Sequence, residues 1–374
     1  MRARFEVADV LRKVDPDLSK LPVNAWQLRT LYAIKKCRTA ELGGHIDRCS
    51  DCHKKYISYN SCRNRHCPKC QGHMREKWIG DRTKELLAAP YFHVVFTLPS
   101  ELNGLAMQFP KEVYDSLFTA AWQTLCQFGN DKTKDLGLQL GMIAVLHTWG
   151  QNLSLHPHLH CIVPGGGITA NGNWKNVRKD GKFLFSVKAM SKVFRAKYVA
   201  DLSSKIELEK PLREVLFSKP WVVFAKRPFG SPKSVIEYLG RYTHKIAISN
   251  HRIQSIDDEG VVFQFKDYKD GAKKKTMRLT HAEFLRRFAL HILPKRFVKI
   301  RQYGFLSSTW KRKKLKQLQE QMKVVNLNAT PTSVHRKCPC CKVGTLITIE
   351  VFGKRGPPNA ISSSVCQPIV SCEK

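Results

Sequence analysis

Two Cys-x-x-Cys pairs, Cys49–Cys52 and Cys67–Cys70, lie 14 residues apart near the start of the chain. Each pair can bind an ion through two sulfur atoms from one tight turn, so two pairs can complete a tetrahedral thiolate site. We therefore predict a structural zinc ion bound by Cys49, Cys52, Cys67 and Cys70. The segment is too polar to bury these cysteines in a core, because charged residues surround them: Arg48, Asp51, Lys54, Lys55, Arg63, Arg65 and Lys69.

Four further residues in this segment are potential ligands: Cys37, His45, Cys62 and His66. A different set of four ligands, or a cluster of two metals, is therefore an open alternative. The basic residues of the segment suit a DNA-contact surface, whereas a closed thiolate site performs no chemistry of its own.

The chain carries 64 Lys and Arg against 30 Asp and Glu, which gives a formal net charge of +34 at pH 7. The excess is spread along the sequence and is densest at 311–316, so it is not confined to a basic tail. This charge indicates a polyanionic partner, since Lys and Arg contacts to phosphates give salt-sensitive affinity without sequence preference. Charge alone does not separate a DNA enzyme from a ribosomal or heparin-type binding protein.

The composition is that of a folded protein, with 43% hydrophobic and 10% aromatic residues. Thirteen cysteines could indicate a secreted disulfide-bonded protein, but the charged first residues do not resemble a signal peptide. The apolar runs, such as 92–98, are shorter than the roughly 20 residues that span a bilayer. We expect a soluble intracellular protein without a membrane partner.

Three parts are predicted: a helical, zinc-binding and DNA-contacting part at 1–89, a catalytic part at 90–310, and a basic helix with a loose Cys-containing tail at 311–374. Strands are predicted at 91–98, 142–149, 158–163 and 221–225, and helices at 1–36, 74–89 and 107–128. A meander is predicted at 246–256, 260–268 and 275–280, and a two-residue hairpin turn at Asn171-Gly172. Because strands and helices interleave, we predict an α+β catalytic domain.

Two histidines alternate along the predicted strand at 158–163. Residues two apart on a strand point to the same face, so His158 and His160 lie together while Leu159 points the other way. Two adjacent imidazoles can bind a divalent metal and leave positions open for a phosphate oxygen. We predict His158 and His160 as ligands of a catalytic metal.

The third ligand of this metal is left open by the sequence. His93, His156 and Gln151 are the alternatives. A pair of surface histidines is the simpler interpretation of an isolated His-x-His. The glycines at 165–167 favour the metal, because backbone without side chains lets a ligand approach the end of this strand.

A helix predicted to begin at Ser231 carries Tyr238 and Tyr242, with Lys245 one turn further on. Residues four apart lie about 6 Å from each other on one helix face, so both hydroxyls can reach one phosphate. A packed aromatic pair is the alternative. The aliphatic stripe of this helix lies on a different face, which favours a chemical role for the tyrosines.

A tyrosine hydroxyl has a pKa of about 10 and is a poor nucleophile at neutral pH. Arg241 and Lys245 would favour the phenolate and neutralise charge that develops on the phosphate oxygens. We therefore predict Tyr238 and Tyr242 as nucleophiles, with Arg241 and Lys245 as stabilising cations.

Taken in order, the cysteine segment at 49–70, His158-Leu-His160 and Tyr238-x-x-x-Tyr242-x-x-Lys245 resemble the two-tyrosine HUH transposases of rolling-circle insertion sequences. Further stretches similar to that family are found at 93–99, 147–151, 164–167 and 301–304. The resemblance covers about residues 20–310, and the order of the motifs is more specific than any one of them.

The resemblance implies a ferredoxin-like catalytic sheet that carries the His-x-His strand, with the tyrosine helix beside it. It also implies Mg²⁺- or Mn²⁺-assisted attack on single-stranded DNA, which gives a 5′-phosphotyrosine and a free 3′-OH. One tyrosine would cut the donor strand and the other would act on the incoming or target strand. The implied partners are single-stranded DNA at the transposon ends and target DNA, and a homo-oligomer is a further expectation.

The C-terminal part departs from this pattern. Cys338, Cys340 and Cys341 offer one more pair, but Cys366 and Cys372 are irregularly spaced, so a second zinc ribbon is an open alternative. The run at 311–323 predicts a basic helix that suits strand binding, and the residues after about 353 are predicted to be loose.

Two other functions are compatible with the sequence. A zinc-dependent nucleic-acid-binding protein without catalysis would use the same basic residues, and its histidines and tyrosines would only pack. A plasmid-type replication initiator would share the histidine pair and the tyrosine chemistry. The cysteine segment and the additional stretches favour transposition over replication.

Overall fold

A computed structural model describes residues 3–14, 17–131, 133, 136–178, 184–226, 234–235, 238, 240, 246–268, 270–324 and 336–354, with the backbone alone at 17 and 72–75. Several sequence predictions lie outside these residues: the helix start at Ser231, the side chains of Arg241, Tyr242 and Lys245, and the thiols of Cys366 and Cys372. Among the described residues, no helix is both long enough and apolar enough to span a membrane.

The α-helices are α1 (Val7–Val14), α2 (Ala25–Lys35), α3 (Gln71–Thr83), α4 (Asn103–Gln108), α5 (Pro110–Gly129), α6 (Val187–Ser203), α7 (Lys210–Ser218), α8 (His281–Ala289), α9 (Ser308–Trp310) and α10 (Lys316–Gln321). Side-chain caps start several of them, as where Asn24 forms a capping box with Gln27 before α2. A π-helical turn, Lys311–Leu315, joins α9 to α10, so the basic helix predicted at 311–323 is present.

The strands are β1 (Gly44–Cys49), β2 (Lys55–Tyr59), β3 (Tyr91–Thr97), β4 (Gly141–Trp149), β5 (Leu155–Pro164), β6 (Gly166–Ile168), β7 (Trp174–Asn176), β8 (Val223–Lys226), β9 (Ile253–Ile256), β10 (Val261–Asp267), β11 (Lys273–Leu279), β12 (Ile300–Gly304) and β13 (Leu346–Phe352). They form four sheets with the orders β13-β1-β2, β11-β10-β9, β12-β4-β5-β3-β8 and β6-β7. The predicted meander is the sheet of β9, β10 and β11.

The five-stranded sheet is the centre of the molecule. Along the chain its elements run β3, α5, β4, β5, α6, β8, and in space the strands lie in the order β8-β3-β5-β4. This is the β-α-β-β-α-β arrangement of ferredoxin-like folds, and all its ladders are antiparallel. The predicted α+β class is therefore confirmed, and β12 extends the sheet beside β4.

Helices α5 and α6 cover one face of this sheet. Phe96 of β3, Phe118 of α5 and Phe194 of α6 are fully buried in the core between them. Burial of each such ring contributes about 2–3 kcal/mol. Because side chains alternate along a strand, the residues between the core positions of β3, β4 and β5 point to the opposite face.

A second hydrophobic core combines residues from the start of the chain with residues from 247–292. Leu11 of α1 and Leu31 of α2 are fully buried against Phe263 of β10 and Phe284 of α8. Residues from the predicted part at 1–89 thus share a core with residues from 246–292. The predicted boundary at residue 89 does not separate two independent cores.

The segment 336–354 belongs to the sheet of β1 and β2, in which β13 pairs with β1 from Gly44↔Phe352 to Cys49↔Leu346. Arg336 donates two hydrogen bonds, of 2.7 and 2.9 Å, to the fully buried carboxylate of Asp47. A backbone ladder and an ion pair therefore hold 336–354, which lies within the predicted part at 311–374 and before the residues after about 353 that were predicted to be loose. The residues after 354 lie outside those described.

Candidate active site and metal centres

Strand β5 presents His158 and His160 on the sheet face opposite α5 and α6. Leu159 and Cys161 alternate with them and are fully buried under the helices. Nε2 of His158 and Nε2 of His160 lie 3.2 Å apart. The strand alternation predicted from the sequence therefore brings these two imidazoles together.

A third histidine, His147 of β4, joins this pair because it lies directly opposite His158 in the β4–β5 ladder. The ligand nitrogens of His147, His158 and His160 all lie within 4.8 Å of one another, a spacing that one metal ion can bridge. We refer to these residues as the histidine triad. Of the alternatives weighed from the sequence, His93 and His156 do not belong to it, and Gln151 stays a prediction.

Contacts within the sheet orient two rings of the triad. The Nδ1–H of His158 donates to the backbone oxygen of His156 at 2.7 Å, which leaves the lone pair of Nε2 for a metal. His147 stacks on Trp149, with ring centroids 4.5 Å apart and planes at 20°. The hydrogen bond fixes the tautomer of His158, and both contacts restrain the direction of the ring they involve.

His93 of β3 lies behind the triad. Its Nε2 is 2.8 Å from Nδ1 of His160, and the two rings stack with centroids 5.1 Å apart. Burial, followed by the nearby charge of Lys226, lowers the pKa of His93 to about 4. His93 therefore contacts a candidate metal ligand from the side away from the metal.

Tyr238 is the predicted nucleophile that the described residues include. Its hydroxyl lies 3.3 Å from Nδ1 of His93, and the two rings meet edge to face at 5.0 Å. The side chain is half-buried. One imidazole, that of His93, therefore lies between the Tyr238 hydroxyl and His160 of the triad.

The donor set of the triad limits which ion fits it. Imidazole nitrogens are better ligands for transition ions than for Mg²⁺, which prefers oxygen. Within the part of the chain that is described, no carboxylate belongs to the group. Of the two predicted ions, the triad fits Mn²⁺ better than Mg²⁺.

Eight of the cysteines that the structure describes form two groups of four, each with all its sulfur atoms within 4.8 Å of one another. One group contains Cys37, Cys62, Cys67 and Cys70 and is called the N-terminal thiol group. The other contains Cys49, Cys52, Cys338 and Cys341 and is called the split thiol group.

The prediction of one zinc ion shared by both Cys-x-x-Cys pairs is therefore wrong in its pairing. Cys67 and Cys70 lie at the start of α3 and face Cys37, which is buried just after α2. Sγ of Cys37 is 3.5 Å from Sγ of Cys70. Cys49 and Cys52 flank the β1–β2 turn and face the segment before β13 instead. Of the four spare ligands that the sequence left open, Cys37 and Cys62 belong to the N-terminal thiol group.

The other two spare ligands, His45 and His66, contact other side chains. Nε2 of His45 lies 3.3 Å from Oδ2 of Asp47. His66 is buried, and this burial, together with the charge of Arg65, lowers its pKa to about 3. Neither residue belongs to a thiol group.

Two family models match the chain. A family model described as a transposase zinc-binding domain matches residues 10–98, and one described as a putative transposase matches residues 141–314. The putative transposase y4qJ of Sinorhizobium fredii is 41% identical to the chain, over 97% of this chain and 100% of its own length. The chain belongs to the two-tyrosine HUH transposase family.

The transposase is also similar to the transposase for insertion sequence element IS801 of Pseudomonas savastanoi pv. phaseolicola. The two are 29% identical over 82% of this chain and 76% of that protein. No solved structure matches the chain. The resemblance drawn from the motifs is thus confirmed at the level of the family.

The site residues of the transposase lie in different family matches. The zinc-binding match includes the whole N-terminal thiol group and also His93, whereas the transposase match includes the triad and Tyr238. Cys338 and Cys341 lie beyond both matches. The split thiol group therefore combines residues inside and outside the matched regions.

Proposed function

We propose that this transposase cuts and rejoins single-stranded DNA at the ends of its element through a 5′-phosphotyrosine, with Tyr238 as a nucleophile. The observation that carries the proposal is the line of contacts from the Tyr238 hydroxyl to His93, at 3.3 Å, and from His93 to His160, at 2.8 Å. This line joins a potential nucleophile to a group of potential metal ligands.

In the proposed step, the Tyr238 oxygen attacks a DNA phosphorus, and the bond from that phosphorus to the 3′-oxygen of the upstream nucleotide breaks. The phenol loses its proton and the departing 3′-oxygen gains one, so the products are a 5′-phosphotyrosine and a 3′-OH. A later attack by a 3′-OH on the phosphotyrosine reverses these bond changes. The DNA is rejoined without an external energy source, because each phosphate ester replaces another.

His93 has the contacts to position the Tyr238 oxygen. Because Nε2 of His160 belongs to the triad, the proton of this ring lies on Nδ1 and is donated to Nε2 of His93. A neutral His93 then carries its own proton on Nδ1 and donates it to the Tyr238 oxygen. This hydrogen bond favours the phenolate and fixes the direction of attack.

The triad residues His147, His158 and His160 are proposed to hold the divalent ion, Mn²⁺ or Mg²⁺. When bound, such an ion supplies positive charge that polarises the phosphate and offsets the negative charge of its oxygens. Imidazole rings held by strand pairing and by contacts such as that of His158 Nδ1 keep these ligand directions fixed before DNA binds.

Tyr242, Arg241 and Lys245 are proposed from the sequence to complete the site. Tyr242 would act on the incoming or target strand, because on a helix it follows Tyr238 by one turn. The cations of Arg241 and Lys245 would neutralise charge on the phosphate in the transition state.

The proposed substrate is single-stranded DNA at the element ends together with target DNA. The net charge of +34 supports a polyanionic partner of this kind. We propose that this activity takes place in the bacterial cytoplasm, at the nucleoid. We retain the prediction of a homo-oligomer, which light scattering with and without the DNA end would test.

Incubation of the full chain with labelled single-stranded DNA of the element end and Mn²⁺ tests the proposal. We expect a covalent protein–DNA adduct that survives denaturation, and a released fragment with a 3′-OH. Peptide mapping should place the DNA on Tyr238 or Tyr242, and the combined Tyr238→Phe and Tyr242→Phe variant should form no adduct.

Tyr268→Phe is the matched control, because Tyr268 is 69% exposed and lies on the loop after β10, a strand outside the catalytic sheet. It should form the adduct at the wild-type rate. Retention of the adduct by the double variant would overturn the proposal. DNA binding without any adduct from the wild-type chain would instead support a binding protein without catalysis.

A further inference from the structure

We infer that the split thiol group is a second structural zinc site, which joins the C-terminal segment of the chain to the β1–β2 hairpin. Its ligands would be Cys49 and Cys52 from the hairpin and Cys338 and Cys341 from the segment before β13. The family match to a zinc-binding domain ends at residue 98 and includes only the first two.

The sulfur positions fit a tetrahedral tetrathiolate. Sγ of Cys49 lies 3.6 Å from Sγ of Cys341, and Sγ of Cys52 lies 3.6 Å from Sγ of Cys338. A zinc–sulfur bond of about 2.3 Å gives a tetrahedron with edges of about 3.8 Å. A disulfide bond is only about 2.05 Å long, so these pairs are not disulfides.

Both pairs have the same local backbone. The residue after the second cysteine has a positive φ in each, +56° at His53 and +59° at Lys342. A non-glycine residue in this conformation is uncommon and tends to occur where the surrounding structure clamps a ligand. Each Cys-x-x-Cys turn is therefore followed by a residue in the left-handed conformation, and the four sulfur atoms of the two turns lie within 4.8 Å of one another.

Backbone amides donate hydrogen bonds to the sulfur atoms. The amide of Asp51 lies 3.4 Å from Sγ of Cys49, and the amide of Gly344 lies 3.3 Å from Sγ of Cys341. Such donors stabilise negative charge on thiolates, the form in which cysteine binds zinc. A Cβ at Gly344 would lie 2.4 Å from Sγ of Cys49, so only glycine fits this approach.

Burial and strand pairing hold the ligands of the group in place. Cys49 is fully buried and Cys338 nearly so, at 0% and 1% exposure. Residues at the start of β13 pair with the end of β1, which brings the two cysteine turns together. Two Cys-x-x-Cys turns on a three-stranded antiparallel sheet form a zinc ribbon.

The halves of this ribbon come from distant parts of the sequence, since Cys52 and Cys338 are 286 residues apart. The catalytic sheet and the second core lie between them along the chain. The zinc site would therefore close the chain on itself and hold β13 at the edge of the β1–β2 hairpin.

Measuring zinc per chain in purified full-length protein tests the inference. We expect two zinc ions in the wild-type chain and one in the combined Cys338→Ser and Cys341→Ser variant. Cys340→Ser is the matched control, because Cys340 lies between the two ligands but outside the group. It should retain two.

One zinc ion in the wild-type chain, or two in the double variant, would overturn the inference. Mass spectrometry of protein alkylated under denaturing, non-reducing conditions distinguishes thiols from disulfides. Disulfide-linked cysteines in the group would also overturn the inference. The single Cys341→His variant should retain the second zinc, because a Cys₃His set also binds this ion.

Hydrogen exchange gives a readout that does not depend on the metal count. In the double variant, the amide of Ser50, which donates to the oxygen of Thr345, should exchange faster by at least about tenfold. The α5 amides should exchange as in the wild type, which shows that the variant is folded. Unchanged exchange at Ser50 would overturn the proposed joining role.

Discussion

The hydroxyl of Tyr238 and Nδ1 of His93 lie 3.3 Å apart, and the other nitrogen of the same imidazole contacts His160. One ring is therefore in contact with the proposed nucleophile and with a proposed metal ligand. Substitutions that keep one of these contacts and remove the other can separate the two roles.

We predict opposite effects for His93→Gln and His93→Asn. The glutamine amide can reach the position of Nε2 and keep the contact to His160, so the adduct-forming rate should fall by about 10- to 100-fold while Mn²⁺ affinity stays near wild type. The asparagine amide can only reach the position of Nδ1, so Mn²⁺ affinity should fall by about 10- to 100-fold. Single-turnover rates and calorimetric Mn²⁺ titrations measure the two quantities.

His156→Gln is the control for this pair, because His156 is on the same sheet face but outside the triad. Both the rate and the Mn²⁺ affinity should stay near wild type. Equal losses of rate and affinity in His93→Gln and His93→Asn would show that His93 does not distinguish its two contacts.

The histidine site shows what a single sequence can and cannot reveal. The alternation of His158 and His160 is local, since it depends only on the two-residue period of a strand. His147 was missed as a ligand because its position depends on the β4–β5 register, in which it faces His158. Neither strand determines that register alone.

We predict that His147→Ala weakens Mn²⁺ binding by more than about 100-fold, since loss of a direct ligand should exceed the cost of losing an outer contact. His156→Ala should leave the affinity unchanged. Calorimetry at matched protein concentration measures both, and circular dichroism checks that the buried position tolerates alanine. Similar affinities for the two variants would remove His147 from the metal site.

The cysteines show the same division between local and long-range information. Each Cys-x-x-Cys turn was predicted correctly as a unit, because two sulfur atoms from one tight turn face the same way. Which turns meet depends on tertiary contacts, and Cys52 meets a thiol 286 residues away. The turn at Asn171-Gly172 was also predicted in place, although Gly172, with φ of +80°, closes a loop longer than two residues.

His291 is only 3% exposed and lies against Thr148 of β4, so its protonation should affect stability in acid. The hydroxyl of Thr148 donates to its Nδ1 at 3.2 Å, and its Nε2–H donates to the oxygen of Leu153 at 3.1 Å. Burial lowers its pKa from 6.5 to about 4, despite an opposing effect of the Leu153 carbonyl. The folded state therefore holds His291 neutral.

Between pH 6.5 and about 4 the unfolded chain binds a proton at this position and the folded chain does not. Stability is therefore lost as the pH falls through this range, by up to about 3 kcal/mol from this residue. His291→Gln should remove that part of the pH dependence, as measured by urea unfolding at several pH values. His251→Gln, at an exposed position, should retain it. Protonation of the thiol groups affects all three proteins equally, so a wild-type slope in His291→Gln would show that His291 is not responsible.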